Sequence, residues 1–230
     1  MKLEYEKNGY HLVKHALDEN EVNSLIQELG IFEGEINNYG VRDLMNKVPA
    51  IRKLATSPPL VEIAKEILGE SAKPVRTVYF DKVPTANWNV AWHQDTSIAV
   101  KEKCNVPGFG PWSEKQGVTH VEPPEEYLAE TLTLRVHLDS ANTESGVLRV
   151  IPGTHKDGRI KSKELIEIVE RSESEIIECT ASPGDVLLMC PLLFHSSRKA
   201  TNPSHRRIIH IEYSAKTLTE PLEWYEAKGQ

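Results

Sequence analysis

Cysteine is scarce in this chain and forms no pattern. Cys104, Cys179 and Cys190 are odd in number and contain no Cys-x-x-Cys pair. That argues against a disulfide framework and a structural zinc, and predicts free, partly buried thiols in a reducing compartment. Long apolar runs are missing too, and none approaches the roughly 20 residues of a membrane span. There is no basic block, and 27 Lys and Arg against 34 Asp and Glu leave a net charge of −7, so nucleic acid is not an expected partner. The start, Met1-Lys2-Leu3-Glu4-Tyr5-Glu6-Lys7, lacks the apolar stretch of a secretory leader. The expectation is a cytoplasmic protein. Its partner is expected to be a small-molecule substrate, with no membrane or nucleic acid involved, and the sequence is silent on oligomeric state.

No repeat or low-complexity linker divides the chain, which predicts one domain over 1–230. Its first 70 residues read as mostly helical. The segment 17–29 has Val22, Leu25, Ile26 and Leu29 on one face, Asp18 as a cap with Glu21 three residues later, and Gly30 as a stop. Segments 41–55 and 60–68 read as two more helices, the second opened by Pro58-Pro59 and closed by Gly69. From 71 to 215 the pattern is short strands: 75–83, 89–95, 131–139, 147–151, 176–180, 186–194 and 206–214, with a short helix at 163–171. In 131–139, Leu132, Leu134, Val136 and Leu138 alternate with Thr133, Arg135, His137 and Asp139. Short strands joined by turns predict a closed or double-sheet antiparallel core. Residues 101–126 carry four prolines and no periodicity, which reads as a lid-like insertion. Residues 216–230 form a tail.

The chemistry-bearing residues are histidines and acids. His93 and Asp95 stand two apart in Trp92-His93-Gln94-Asp95. On a strand, residues i and i+2 share a face, so both can lean on one metal. Spacing alone is weak: random placement of nine histidines and 34 acids gives about one His-x-acid pair, and the chain has five. The others are His120/Glu122, His155/Asp157, His137/Asp139 and His210/Glu212. The first two read as solvated surface and the last as a hydrogen-bonded sheet pair. His137/Asp139, on the polar face of its strand, is the rival. His93/Asp95 ranks above it because it ends a strand, flanked by Trp88 and Trp92, beside the insertion. A second histidine, His195, ends the apolar run Pro191-Leu192-Leu193-Phe194, and Arg206 follows eleven residues later. Two histidines and one carboxylate are the facial set of non-haem Fe(II) oxygenases. A guanidinium returning across a hairpin beside His195 suits a carboxylate co-substrate. Of Arg206 and Arg207, strand parity sends one inward and the other outward.

Several segments together resemble the phytanoyl-CoA dioxygenase family of Fe(II)/2-oxoglutarate-dependent oxygenases, over nearly the whole chain. They are Asn8-Gly9-Tyr10 ahead of a helix, Tyr79-Phe80-Asp81-Lys82, Trp92-His93-Gln94-Asp95, Gly146-Val147-Leu148-Arg149-Val150-Ile151-Pro152-Gly153-Thr154-His155, Pro183-Gly184-Asp185, and His195 through Arg206. The resemblance implies a mainly β fold, a double-stranded β-helix (jelly-roll, cupin-like) core with added N-terminal helices. It implies His93, Asp95 and His195 as catalytic ligands to Fe(II), Arg206 and Ser197 as binders of 2-oxoglutarate, and Gln94 near that co-substrate. Thr133 and Arg135 are further candidate cofactor contacts. Some members carry tryptophan where this chain has Arg135, whose charge points to an acidic substrate. The implied activity is O2-dependent hydroxylation of a small organic substrate, with succinate and CO2 as co-products. Asp95 favours hydroxylation over halogenation, because a related halogenase has a small residue there. The alternatives are a cupin-type metal enzyme that does not use 2-oxoglutarate, with extra histidines from His137 or His210, and a non-catalytic jelly-roll binding protein.

Overall fold

The computed structural model describes residues 1–35, 40–160 and 164–227. Helix α1 (Lys2–Asn8), strand β1 (Tyr10–Val13) and helix α2 (Glu19–Leu29) open the chain. Asp18 accepts from Glu21 N at 2.8 Å, and the Glu21 carboxylate accepts from Asp18 N at 2.8 Å. This is the reciprocal box that the spacing predicts. Strand β2 (Val41–Arg42) and helices α3 (Leu44–Lys47), α4 (Pro49–Ala55) and α5 (Pro58–Leu68) follow. The single helix predicted over 41–55 is thus a two-residue strand and two short helices. Pro49 sits at the start of α4, where its missing N–H breaks no helical bond.

The β-rich part runs β3 (Lys73–Asp81), β4 (Val90–His93), β5 (Ile98–Val100), β6 (Trp112–Lys115), β7 (Val118–Val121), α6 (Glu125–Ala129), β8 (Thr131–His137), β9 (Leu148–Val150), α7 (Leu165–Arg171), β10 (Ile177–Glu178), β11 (Val186–Met189), β12 (His195–Ser197) and β13 (Arg207–Ser214). Residue 163, in the helix predicted over 163–171, lies outside the described residues, as do 228–230 of the tail. The strands form an antiparallel six-stranded sheet, β1-β11-β8-β13-β3-β2, and a four-stranded sheet, β10-β9-β12-β4. These are the two sheets of a jelly-roll core. A third small sheet, β5-β7-β6, lies within and beside the insertion.

Two expectations need correction. The segment 186–194 is not one strand: β11 ends at Met189 in the larger sheet, and β12 begins at His195 in the smaller one. An unbroken apolar run cannot mark where a chain changes sheets, but Pro191, which lacks an N–H, lies in the crossing. The insertion 101–126 is also not irregular throughout. Strands β6 and β7 pair across Gln116-Gly117, whose φ angles of 53° and 75° match the two-residue hairpin turn that follows strand twist. Gln116 Nε2 donates to Gly40 O at 2.8 Å and ties this turn to the segment before β2.

Strand β8 sits centrally between β11 and β13. Leu132, Leu134, Val136 and Leu138 are fully buried on one face, toward α5. The polar face turns to the space between the two main sheets. Register pairs Arg135 with His210 and Thr133 with Glu212 of β13, and Glu212 with Arg76 of β3. Neighbouring strands thus bring complementary polar groups together on one face.

Candidate metal and co-substrate site

A cavity of about 420 Å³ lies between the sheets. Both contribute to its wall: Val78 and Phe80 from β3, Arg135 from β8, and His210 and Glu212 from β13 face His93 from β4, Leu148 from β9, and His195, Ser196 and Ser197 from β12. His93 and His195 are direct cross-strand partners of β4 and β12, with ring centroids 4.2 Å apart. Asp95 lies two residues beyond His93, held by its N–H donating to Pro191 O at 2.8 Å. The Asp95 carboxylate is 3.8 Å from His93 Nε2 and 3.6 Å from His195 Nε2. One ligand atom from each of the three residues falls within 4.8 Å of the others. Among the described residues no other group of His, Cys, Asp and Glu meets that standard.

The donor chemistry fits a metal. His93 Nδ1 lies 2.9 Å from Ala91 O and His195 Nδ1 lies 2.8 Å from Leu193 O. A carbonyl only accepts, so each Nδ1 carries the proton and each Nε2 presents a lone pair to the shared centre. Burial and the neighbouring His93 lower the His195 pKa to about 4, against the pull of Asp95, so this imidazole is neutral at pH 7. Burial alone raises the Asp95 pKa, but His195 and His93 outweigh it and hold the carboxyl well below its usual range. A deprotonated acid and neutral imidazoles are the ligating forms. The His195 side chain is 5% exposed, whereas His93 and Asp95 are 38% and 31% exposed, so the group opens toward the cavity.

Arg206 and Arg207 part as parity requires. The Arg207 guanidinium donates twice to Asp139, at 2.8 and 2.7 Å, and Arg207 does not line the cavity. Arg206 is buried in the cavity wall, with Nη1 donating to Gly146 O at 2.6 Å and its N–H donating to Asp81 at 3.0 Å. The route differs from the hairpin inferred above: β12 and β13 are in different sheets, so Arg206 reaches the cavity from the opposite side. Its Nε has no partner, and burial with the repulsion of Arg135 lowers its pKa to about 9. Lys82 Nζ donates to Ser197 Oγ at 3.2 Å and to Arg198 O, its pKa brought down to about 7 by burial and by Arg206 and Arg135.

Arg135 also lines the cavity and bonds His210 Nδ1 at 3.2 Å, while His210 Nε2 lies 3.2 Å from Glu212. Arginine can only donate, so His210 accepts at Nδ1 and donates from Nε2. Glu212 is also paired with Arg76 at 2.7 Å. Both nitrogens of His210 are thereby engaged, and His137 is buried with neither ring nitrogen bonded. Neither histidine joins the metal-competent group. Thr133 is buried with its hydroxyl unpartnered and does not line the cavity. Gln94 does not line it either. Its amide donates to Gly158 O and Leu192 O at 2.8 and 2.6 Å and accepts from Ile160 N at 2.8 Å, tying loops behind the site. Trp88 lines the cavity, whereas Trp92 stacks on Phe194. His120 is not solvated surface: it is fully buried, with Nδ1 on Val118 O. Sequence reasoning passed over Arg42, Arg76 and Lys115 as cavity residues. Arg76 was accessible through its i, i+2 spacing from Val78 and Phe80, but nothing in the sequence marks Lys115.

Gly146 holds the turn before β9. Its φ is +69°, and a Cβ there would sit 2.4 Å from Arg198 O and 2.9 Å from Ala200 N. Gly146→Ala is expected to cost about 2–3 kcal/mol and lower Tm by roughly 4–12 °C. Because Gly146 O anchors Arg206, the variant should also bind an anionic co-substrate less tightly, as calorimetry would read.

Comparison with known proteins places this geometry. No curated protein matches the chain significantly. Solved structures share its fold at low identity. HygX from Streptomyces hygroscopicus, with nickel and 2-oxoglutarate bound, is 16% identical with a TM-score of 0.68, over 94% of this chain and 86% of that one. EctD from S. alaskensis is 19% identical with a TM-score of 0.72, over 93% and 75%. SnoN, an α-ketoglutarate-dependent epimerase of nogalamycin biosynthesis, is 18% identical with a TM-score of 0.67, over 92% and 80%. The family described as Phytanoyl-CoA dioxygenase (PhyH) matches residues 5–208. The chain therefore belongs to the phytanoyl-CoA dioxygenase (PhyH) family, among the Fe(II)/2-oxoglutarate-dependent oxygenases.

Proposed function

We propose that the protein is a dioxygenase that uses Fe(II), 2-oxoglutarate and O2 to hydroxylate a small organic substrate, releasing succinate and CO2. The observation that carries this reading is one cavity holding His93, Asp95 and His195 together with Arg206, a buried arginine whose guanidinium has no carboxylate partner among the described residues.

His93 Nε2, His195 Nε2 and an Asp95 oxygen would hold the iron. When bound, the iron would supply O2 activation coupled to loss of CO2 from 2-oxoglutarate. The rest of the work is the protein's. Arg206 pairs with the distal carboxylate of 2-oxoglutarate, a charge-assisted bond strengthened by burial. Ser197, oriented by Lys82, supports the same carboxylate. The Ala91 and Leu193 carbonyls fix both imidazole tautomers. Phe80, Trp88 and Leu148 keep water from the reacting carbon. Asp95 occupies the position that a halogenase leaves to halide, which favours hydroxyl transfer. Against a site independent of 2-oxoglutarate, His210 is committed to Arg135 and Glu212 and is not a spare ligand.

Turnover under ¹⁸O2 separates hydroxylation from the other outcomes seen among similar folds, which include an epimerase and a carbocyclase. Hydroxylation places one ¹⁸O in the product and one in succinate. An unlabelled isomer, or a product two hydrogens lighter, would replace hydroxylation with epimerisation or ring closure.

A further inference from the structure

The cavity carries more positive charge than iron and 2-oxoglutarate account for. Arg76, Lys115, Arg135 and Arg206 line it against Asp95 and Glu212, an excess of two positive charges even with Arg42 left out of the count. A ferrous ion and a 2-oxoglutarate dianion cancel each other, so the excess still faces whatever enters next. The salt bridges among the described residues give Arg76 to Glu212 at 2.7 Å and leave Lys115, Arg135 and Arg206 without a carboxylate. Arg135 and Arg206 are buried, and buried cations in that state call for an anion, whereas Lys115 lines the cavity from an exposed position.

The cations fall into two groups. Arg206, with Arg135 and Lys82 beside it, forms the inner one, where Arg206 is assigned above to 2-oxoglutarate. The second is built from three separate elements. Arg42 on β2 is the register partner of Val78, and Arg76 stands two residues before Val78 on β3, so both share the cavity face. Lys115 ends β6, and the next residue, Gln116, is bonded to Gly40, two residues before Arg42. The hairpin thus fixes Lys115 beside the two arginines. Burial, then Arg76 and Arg42, lowers the Lys115 pKa, while Asp95 and Glu212 raise it. Val78 and Phe80 follow Arg76 along the cavity face of β3, whereas Trp88 and Leu148 lie by the inner group, Trp88 with its ring 5.5 Å from Lys82 Nζ and Leu148 in register with Ser197.

We propose that Arg76 and Lys115, with Arg42 alongside, form a second oxyanion subsite, and that the substrate is a small organic acid with a carboxylate or phosphoryl head. This rests on the oxygenase reading for its account of the inner group. The head group docks between Lys115 and Arg76, at the end of the cavity where both act electrostatically on Asp95.

The test titrates butylphosphonate, pentanoate and the neutral pentanamide into wild-type protein and Lys115→Glu, each loaded anaerobically with Fe(II) and 2-oxoglutarate, by calorimetry. Lys115 is exposed enough at a hairpin end that its replacement leaves the core intact, which an unchanged Tm verifies. The expected result is binding of at least one acid, with pentanamide at least about 10-fold weaker. In Lys115→Glu that acid weakens by about 10-fold or more while 2-oxoglutarate affinity holds. Binding of only one of the two acids supports the subsite and identifies its head group. Absence of acid binding, equal binding of pentanamide, or unchanged acid affinity in Lys115→Glu overturns it. Parallel loss of 2-oxoglutarate affinity in the variant also overturns it, by assigning Lys115 to the co-substrate. Failure of wild-type protein to bind 2-oxoglutarate would refute the oxygenase reading separately, and the acid titration without 2-oxoglutarate would still test the subsite.

Discussion

Replacing His195 with alanine is expected to abolish iron-dependent turnover of 2-oxoglutarate, and His93→Ala should do the same. Each change removes one of three ligand atoms from the group that opens onto the cavity. Removing the outer hydrogen-bond partner of a metal ligand typically costs 10–100-fold in metal affinity or activity. Removing the ligand itself should exceed that and bring succinate release to background. The two variants differ in risk to the fold. His195 is buried at the start of β12 between Val150 of β9 and His93 of β4, so its loss also leaves a small cavity, whereas His93 is more open to solvent. His93→Ala is therefore the cleaner test: its Tm should stay near that of the wild type while Fe(II) affinity falls. Full activity in both variants would end the metal assignment.

Arg206→Ala should weaken 2-oxoglutarate far more than iron. The guanidinium is buried, and among the described residues its side chain bonds only the Gly146 carbonyl. Two charge-assisted bonds to a carboxylate, at about 1.5–3 kcal/mol each, predict a loss in co-substrate affinity on the order of 10²–10⁴-fold. Fe(II) affinity should change little, because Arg206 does not bond His93, Asp95 or His195. Arg206→Lys should recover only part of the loss, since an ammonium keeps the charge but not the planar fork. Unchanged co-substrate affinity in Arg206→Ala would move the role to another cavity cation. Arg207, which is committed to Asp139, is the control expected to leave 2-oxoglutarate binding intact.

Much of this was legible in the residues. The i, i+2 placement of His93 and Asp95 on a strand end and the polar return after His195 put the three candidate ligands within reach of one another. The alternation of 131–139 identified the strand face that carries Arg135 into the cavity. The capping box of α2 was readable from Asp18 and Glu21 alone. What escaped the pattern depended on long-range contacts. The apolar stretch 186–194 has no period, so its switch from one sheet to the other was invisible. Arg206 reaches the cavity from the sheet opposite His195, a fact of topology and not of spacing. The hairpin at Gln116-Gly117 hid in a proline-rich stretch whose short strands show little alternation, and Lys115 was hidden with it. His120 looked like loop surface because nothing local reveals that β5 and β6 flank it.

The central claim is that His93, Asp95 and His195 hold one ferrous ion beside a carboxylate anchor. Anaerobic addition of Fe(II) and then 2-oxoglutarate to the wild-type protein tests it most directly. A metal-to-ligand charge-transfer band that appears only when both are present, saturates at one equivalent, and is absent in His93→Ala is the predicted result. A protein that binds Fe(II) but shows no such band at saturating 2-oxoglutarate, or a band undiminished in His93→Ala, would contradict it.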